Sequence, residues 1–93
     1  MPFELKLPRN LKAAGWKVKI FDKEELEPPH VTVLRGPETW RLGLRDRRFL
    51  RPPGGSWADF PKKLERILKE SIPILTIEWD RIHPTNPVGG EDE

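Results

Sequence analysis

Two short runs of alternating residues, joined by a turn, constrain the fold of this chain more than any other feature. Residues 30–34 are rich in β-branched side chains, and residues 39–45 alternate between apolar and polar types. The connection at 35–38 contains Gly and Pro, and the two prolines at 28–29 favour an extended entry into the first run. The two runs therefore predict an antiparallel β-hairpin.

Further strands are predicted on both sides of this hairpin. Residues 16–20 alternate Trp, Val and Ile with Lys, which is typical of a strand with one buried face and one solvated face. Residues 48–51 predict a short fourth strand after a tight turn at Asp46-Arg47, and Gly43 is a candidate for a β-bulge. The weak alternation at 3–7 is interpreted as an arm or an edge strand.

One helix is predicted from about Asp59 to Ser71. Asp59 is a suitable helix cap, Pro61 fits the first turn, and the apolar residues that follow recur at helical spacing. Pro73 is expected to end the helix. Residues 74–82 then alternate and predict a last strand.

These elements predict an α+β fold: a small antiparallel sheet of four or five strands, in the order β-β-β-(β)-α-β, with one helix packed on one face. Residues 1–87 are expected to form a single domain, and residues 88–93 a disordered acidic tail. The four tryptophans divide into two groups. Trp16, Trp40 and Trp79 align with aliphatic faces and are predicted to be in the core. Trp57 follows a Gly-rich loop and is expected either to fold over the start of the helix or to contact a partner.

Composition excludes several classes of protein. The chain has no cysteine, no long apolar segment and nothing that resembles a secretory signal, so a cytoplasmic protein without membrane contact is expected. Its 17 basic and 15 acidic residues give a net charge of +2. Without the three acids of the tail at 91–93, 17 basic and 12 acidic residues give +5, which permits an RNA partner or an acidic protein partner. Nothing in the sequence specifies an oligomeric state.

His30 is the main candidate for a catalytic residue. It follows two prolines that restrict its backbone, and an imidazole held in this way can act as a general base. A lone histidine is more often a hydrogen-bonding residue at the start of a strand, and no metal site is predicted because cysteines and a second nearby histidine are absent. The Gly54-Gly55-Ser56 stretch lacks the residues of a phosphate-binding or dinucleotide motif, so no cofactor is expected.

A run of arginines offers a possible contact surface for phosphates or carboxylates. Strand spacing would place Arg41 and Arg45 on one face, with further cations in the turn that follows. Charged strand faces more often serve solvation and edge protection, so both interpretations stay open. The complete candidate binding set is Arg41, Arg45, Arg47, Arg48, Arg51 and Trp57.

The segments GWKVKIFDKEELEPPHVTV and TWRLGLRDRRFL resemble small uncharacterised bacterial domains that join a Pro-Pro-His-Val strand entry to a short sheet and one helix. The resemblance covers roughly residues 15–51. Some relatives of this type lie beside toxin-antitoxin genes, which implies a toxin directed at RNA or the ribosome, or its partner. Many carry a second histidine two positions after the first, where this chain has Thr32.

The sequence supports three hypotheses about function. The first is a small binding module, associated with RNA or part of a toxin-antitoxin-like system, that uses the arginine face and the strand entry at His30. The second is a toxin-like ribonuclease in which His30 is the base and an arginine stabilises the transition-state phosphate. The third is a protein–protein interaction module.

Overall fold

A computed structural model describes residues 2–23, 27–51 and 55–89, with only the backbone described for Arg51. The chain forms an antiparallel sheet and one long helix, which confirms the predicted α+β class. The elements are β1 (Phe3–Glu4), α1 (Arg9–Ala13), β2 (Trp16–Ile20), β3 (His30–Arg35), β4 (Glu38–Gly43), β5 (Phe49–Arg51), a 3-10 turn (Trp57–Asp59) and α2 (Lys62–Ile82).

The sheet is an antiparallel meander in which each strand pairs with the next strand along the chain, in the order β1-β2-β3-β4-β5. The predicted hairpin is confirmed as β3 and β4, with Val33 opposite Trp40 and Val31 opposite Leu42. Strand β1 at one edge confirms the predicted edge strand. Because side chains alternate between faces, this register directs the apolar residues of neighbouring strands to the same side.

The core lies between that side of the sheet and α2. The buried residues of α2 recur at intervals of three or four, so they form one stripe along the helix. Trp16, Trp40 and Trp79 are all buried in this core, as predicted. The buried stripe consists of Leu64, Leu68, Ile72, Leu75 and Trp79.

The predicted last strand at 74–82 is wrong, because α2 continues through Pro73 to Ile82. Leu75 and Trp79 fit a strand that alternates, but they also extend the helical stripe beyond Ile72. An interior proline costs a helix about 3 kcal/mol through a lost hydrogen bond and a steric clash. Burial of Ile72, Leu75 and Trp79 offsets this cost, and the proline ring itself is exposed.

The predicted helix start at Asp59 is also wrong. Ser56 caps the 3-10 turn, and the carboxylate of Asp59 accepts hydrogen bonds from the Ser56 backbone amide and from Nε1 of Trp40. Helix α2 begins at Lys62, with Pro61 in the preceding position. Asp59 therefore connects this turn to the sheet and does not cap the long helix.

The predicted tight turn between β4 and β5 is present. Arg47 adopts a φ of 59°, and Oδ1 of Asp46 accepts a hydrogen bond from the Arg48 amide. The register shifts between Arg41 and Leu42, next to the predicted bulge position at Gly43. A Cβ atom at Gly43 would lie 3.2 Å from the carbonyl oxygen of Arg48, so glycine allows the close approach of these two backbones.

The C-terminal segment of the described chain packs against the body of the domain. The amide of Val88, a residue that the sequence assigns to the tail, donates to Oδ1 of Asp80, and the Val88 side chain contacts the core. Residues 90–93 of the predicted tail lie outside the described residues. Neither helix in the described part of the chain has the length and hydropathy needed to span a membrane.

Candidate nucleic-acid interface

The sheet face turned away from α2 carries a row of polar residues that crosses the strands. Lys19 pairs with Thr32, Thr32 with Arg41, and Arg41 with Arg51, so these positions lie on neighbouring strands at the same level. Glu4 of β1 extends the row on the other side of Lys19. We call the described part of this surface the open face, and it consists of Lys17, Lys19, Thr32, Leu34, Thr39 and Arg41.

Two cations of the open face form ion pairs with carboxylates that remain partly accessible. Nζ of Lys19 lies 4.0 Å from Glu4, and Nη1 of Arg41 lies 3.1 Å from Oε1 of Glu27. The side chains of Glu4 and Glu27 are 54% and 44% exposed. Ion pairs of this kind typically contribute only about 0 to 1 kcal/mol, so an incoming phosphate can compete with the carboxylates for the same cations.

Thr32 occupies the position between these two cations. Its side chain is buried, and its hydroxyl has no hydrogen-bond partner among the described residues. A buried hydroxyl without a partner costs about 1 to 3 kcal/mol, so such groups are rare in folded proteins unless they have a function. The hydroxyl lies between the two cations but is inaccessible, so it could donate to an oxygen atom held by Lys19 and Arg41 only after the surrounding side chains move.

A cleft of about 220 Å³ opens at the Lys19 end of the row. Phe3 and Phe21 are half-buried and line this cleft together with Lys19. Phe3 pairs with Ile20 and packs against the core, whereas Phe21 lies two residues after Lys19. Aromatic rings beside cations are typical of surfaces that stack bases while they bind the backbone of a single strand. Neither phenylalanine is predicted as a site residue from the sequence, because Phe21 follows the last residue of β2 and Phe3 lies in a weak pattern. The cleft is lined by Pro2, Phe3, Glu4, Lys19 and Phe21.

The structure does not bring all the predicted arginines together. Strand β4 ends at Gly43, two residues before Arg45, so the prediction that Arg41 and Arg45 share one strand face is wrong. Arg47 and Arg48 are exposed in the turn that leads to β5. Arg51 is the backbone partner of Arg41, and its side chain lies outside the description.

Arg45 holds the C-terminal segment in place. Its Nε donates to the carbonyl of Val88 at 2.9 Å, and its Nη2 donates to the carbonyl of Pro87 at 2.8 Å and to Oδ1 of Asn86 at 3.4 Å. Asn86 in turn donates to the backbone carbonyl of Glu27 at 2.7 Å. Arg45 therefore links the end of the chain to the sheet, although the sequence suggested a contact with a partner.

Replacement of Arg45 by Ala is expected to lower the free energy of unfolding by about 1 kcal/mol, because the carbonyls of residues 87 and 88 lose their donor. The amide of Val88 should also exchange its hydrogen faster, which NMR can measure. Arg48→Ala is the matched control, since the Arg48 side chain is exposed. Equal effects of the two substitutions would contradict the role assigned to Arg45.

His30 is fully buried at the start of β3. Its Nδ1 donates to the carbonyl of Pro28 at 2.9 Å, and its ring packs against Trp79 with centroids 5.5 Å apart. Its Nε2 lies 3.8 Å from Oε1 of Glu27, the carboxylate that pairs with Arg41. His30 therefore packs between the start of β3 and Trp79 of α2, and a catalytic role would need access that burial of the ring prevents.

The second histidine, His83, is also buried and follows the last residue of α2. Its Nε2 donates to the carbonyl of Phe21 at 2.8 Å, and its ring stacks on Trp79 with centroids 4.0 Å apart. Trp79 therefore lies between two imidazoles and donates its own Nε1 proton to the carbonyl of Asn86. No local pattern in the sequence indicates this arrangement, because its members come from distant parts of the chain.

Trp57 packs beside the start of α2, which is one of the two positions expected from the sequence. Its ring contacts Phe49 and Phe60 edge to face, and Nζ of Lys69 lies 5.0 Å from the ring centroid. The hydrogen bond from Lys69 lowers the pKa of Glu65. Trp57 thus contacts Lys69 and both phenylalanines while part of its ring remains accessible, so its role as a partner contact stays a prediction.

Within residues 2–23, 27–51 and 55–89, no group of three or more His, Asp or Glu side chains is arranged to hold a metal ion. A scan of protein-family models and searches of curated proteins and of solved structures find no match to this chain. The resemblance to toxin-antitoxin-associated domains thus stays a prediction. The case for a function depends on the geometry of the open face.

Proposed function

We propose that this chain is a small RNA-binding module whose open face contacts the phosphate backbone of a single strand. The observation that carries the proposal is the pair of partly exposed cations Lys19 and Arg41, which flank Thr32 on neighbouring strands and pair with accessible carboxylates among the described residues. Each cation can exchange its carboxylate for a phosphate oxygen, and movement of the surrounding side chains would let the Thr32 hydroxyl donate to one of these phosphates. The half-buried ring of Phe21 in the cleft beside Lys19 favours RNA over an acidic protein, because bases stack on aromatic rings and carboxylates do not.

The spacing of the row suits a flexible strand better than a rigid duplex. Neighbouring strands of a sheet lie about 4.8 Å apart, so Lys19 and Arg41, two strands apart, are separated by roughly 10 Å across the sheet. A single strand can bend to bring consecutive phosphates to these positions and to place a base in the cleft near Phe21. Arg47 and Arg48 lie in the turn beyond β4 and extend positive charge past the row.

The proposal predicts salt-dependent binding that maps to the open face. A fluorescent single-stranded RNA of about 20 nucleotides should bind less tightly as the salt concentration rises. The slope of log affinity against log salt concentration should become shallower by about 0.7 for each phosphate contact removed. Lys19→Gln and Arg41→Gln should each make the slope shallower by this amount, as measured by fluorescence anisotropy. Lys62→Gln on α2, an exposed lysine away from the open face, is the matched control.

Three results would overturn the proposal. One is a slope that changes as much with Lys62→Gln as with Lys19→Gln. Another is an absence of RNA binding, and binding to polyglutamate in the same assay would then identify an acidic protein as the partner. The third is an unchanged affinity for Phe21→Ala, which should weaken binding about fivefold or more without a change of slope, because stacking contributes about 1 to 3 kcal/mol per base.

Thr32→Val separates a binding role of the hydroxyl from a purely structural one. Valine has a similar shape and removes the buried hydroxyl, so the free energy of unfolding should rise by about 1 kcal/mol. RNA affinity should fall about fivefold, since the phosphate loses a donor. Chemical denaturation and anisotropy measure the two quantities. An increase in stability with no loss of affinity would remove Thr32 from the binding site.

The ribonuclease hypothesis has one geometric observation in its favour, which is the closeness of His30, Glu27 and Arg41. Burial of His30 argues against it, because a general base must reach the 2′-hydroxyl of the substrate. Gel analysis of the RNA probe after the binding experiment tests this alternative directly. Cleavage by the intact protein that His30→Ala abolishes would replace the binding module with a nuclease.

A further inference from the structure

Helix α2 presents an exposed apolar stripe on the side opposite the core. Ile74 and Ile77 are 52% and 64% exposed, which makes them the most exposed large hydrophobic residues in the described part of the chain. Glu70 lies one turn before them, and Arg81 lies one turn after them. At 100° per residue these four positions fall within an arc of roughly 60°. We call them the outer stripe of α2.

The outer stripe has a symmetry that points to one kind of partner. Glu70 and Arg81 lie at equal distances along the sequence from the midpoint between Ile74 and Ile77. A two-fold axis through that midpoint would place Ile74 of one copy against Ile77 of the other, and Glu70 against Arg81. We propose that this chain forms an antiparallel homodimer through the outer stripe of α2.

Charge complementarity determines the direction of the pairing. In a parallel arrangement the two copies of Glu70 would face each other, as would the two copies of Arg81, and both contacts would be repulsive. In the antiparallel arrangement both charged contacts are attractive and flank the apolar centre. Within the described residues, Glu70 has no ion pair, and Arg81 pairs with Glu78 on its own helix.

The dimer would leave the other surfaces of the protein accessible. The outer stripe lies on the helix face away from the sheet, and the open face lies on the far side of the sheet. The two open faces would therefore point away from each other on opposite sides of the helix pair. The apolar contact consists of two isoleucines from each copy, so we expect a dissociation constant in the micromolar range.

Sedimentation equilibrium of the full chain, over concentrations from about 5 to 500 µM, tests the proposal. The native chain should show a reversible monomer–dimer equilibrium, and Ile77→Asp should raise the dissociation constant at least about tenfold. Leu50→Asp is the control, since Leu50 is a 38% exposed hydrophobic residue on β5. A chain that stays monomeric throughout, or a dimer that Leu50→Asp disrupts and Ile77→Asp does not, would overturn the proposal.

Charge reversal tests the direction of the helices. Glu70→Arg and Arg81→Glu should each weaken the dimer, whereas the double variant restores the attractive pairs and should recover most of the native affinity. All four positions are exposed, so each variant should fold, which far-UV circular dichroism checks. A double variant weaker than either single variant would rule out the antiparallel pairing.

The absence of native cysteine provides a second, independent test. Ile74→Cys and Ile77→Cys chains, mixed in equal amounts and oxidised, should form mainly the mixed disulfide, because each of these positions faces the other across the two-fold axis. Disulfides that join like chains in preference to unlike chains would contradict the register.

Discussion

Trp79→Ala is expected to lower the free energy of unfolding by about 3 to 5 kcal/mol, the largest effect of any single substitution considered for this chain. The indole is fully buried between the rings of His30 and His83, and its Nε1 donates to the carbonyl of Asn86 at 2.7 Å. Alanine would leave a cavity and remove the donor from that carbonyl. Urea denaturation followed by far-UV circular dichroism measures the loss.

Trp57→Ala is the matched control for Trp79→Ala. Trp57 is only half-buried and makes no hydrogen bond through its indole nitrogen within the described residues, so its loss should cost about 1 to 2 kcal/mol. Trp79→Phe should fall between the two, because it keeps most of the apolar volume and removes the hydrogen bond. A loss below 1 kcal/mol for Trp79→Ala would contradict the central position assigned to this ring.

Pro73→Ala is expected to raise the free energy of unfolding by about 1 to 2 kcal/mol. Pro73 is exposed in the middle of α2, where it supplies no amide to the carbonyl of Lys69. Alanine would supply this donor, and the gain of about 3 kcal/mol in helix propensity would be reduced by the greater freedom of the unfolded chain. Thermal and urea denaturation at low protein concentration, where dimerisation is negligible, measure the change.

Pro61→Ala tests whether the gain at Pro73 comes from its position inside the helix. Pro61 precedes the first residue of α2 and has a φ of −58°, which suits proline, so its replacement should leave stability unchanged or lower it by less than about 1 kcal/mol. Stabilisation by Pro61→Ala equal to that of Pro73→Ala would mean that the gain does not depend on a position inside the helix. A destabilising Pro73→Ala would show that the ring makes contacts that outweigh the lost hydrogen bond.

The sheet could be predicted from sequence because its signals are local. Alternation at 16–20 and on both sides of residues 35–38 specifies three strands, the faces they bury and the order in which they pair. The same alternation correctly assigned Trp16 and Trp40 to the core. In a meander, neighbours in sequence are neighbours in space, so local patterns determine most of the topology.

The end of α2 could not be predicted with the same rules, because residues 72–79 satisfy two periods at once. Leu75, Ile77 and Trp79 alternate like a strand, while Ile72, Leu75 and Trp79 continue a helical stripe. Pro73 favours the strand, because proline usually ends a helix. The outcome depends on packing against the sheet, which a window of sequence does not contain.

The candidate site was only partly predictable for a related reason. The sequence identified Arg41 as a surface cation, but the position of Thr32 between Lys19 and Arg41 follows from the register of three strands. The sequence suggests a partner contact for Arg45 because no local pattern reveals its hydrogen bonds, which reach residues more than forty positions away. Hydrogen bonds between residues so far apart in sequence produce no periodic pattern from which they could be predicted.

The order of the elements along the chain has a consequence for synthesis on the ribosome. All five strands precede α2, so the sheet can form before the helix that covers it has been made. Until then Trp16, Val33 and Trp40 face water on one side of a nearly complete sheet. A nascent or truncated chain that ends before Lys62 would therefore be a substrate for chaperones and proteases, and the helix is the element that gives the newly made domain its solubility.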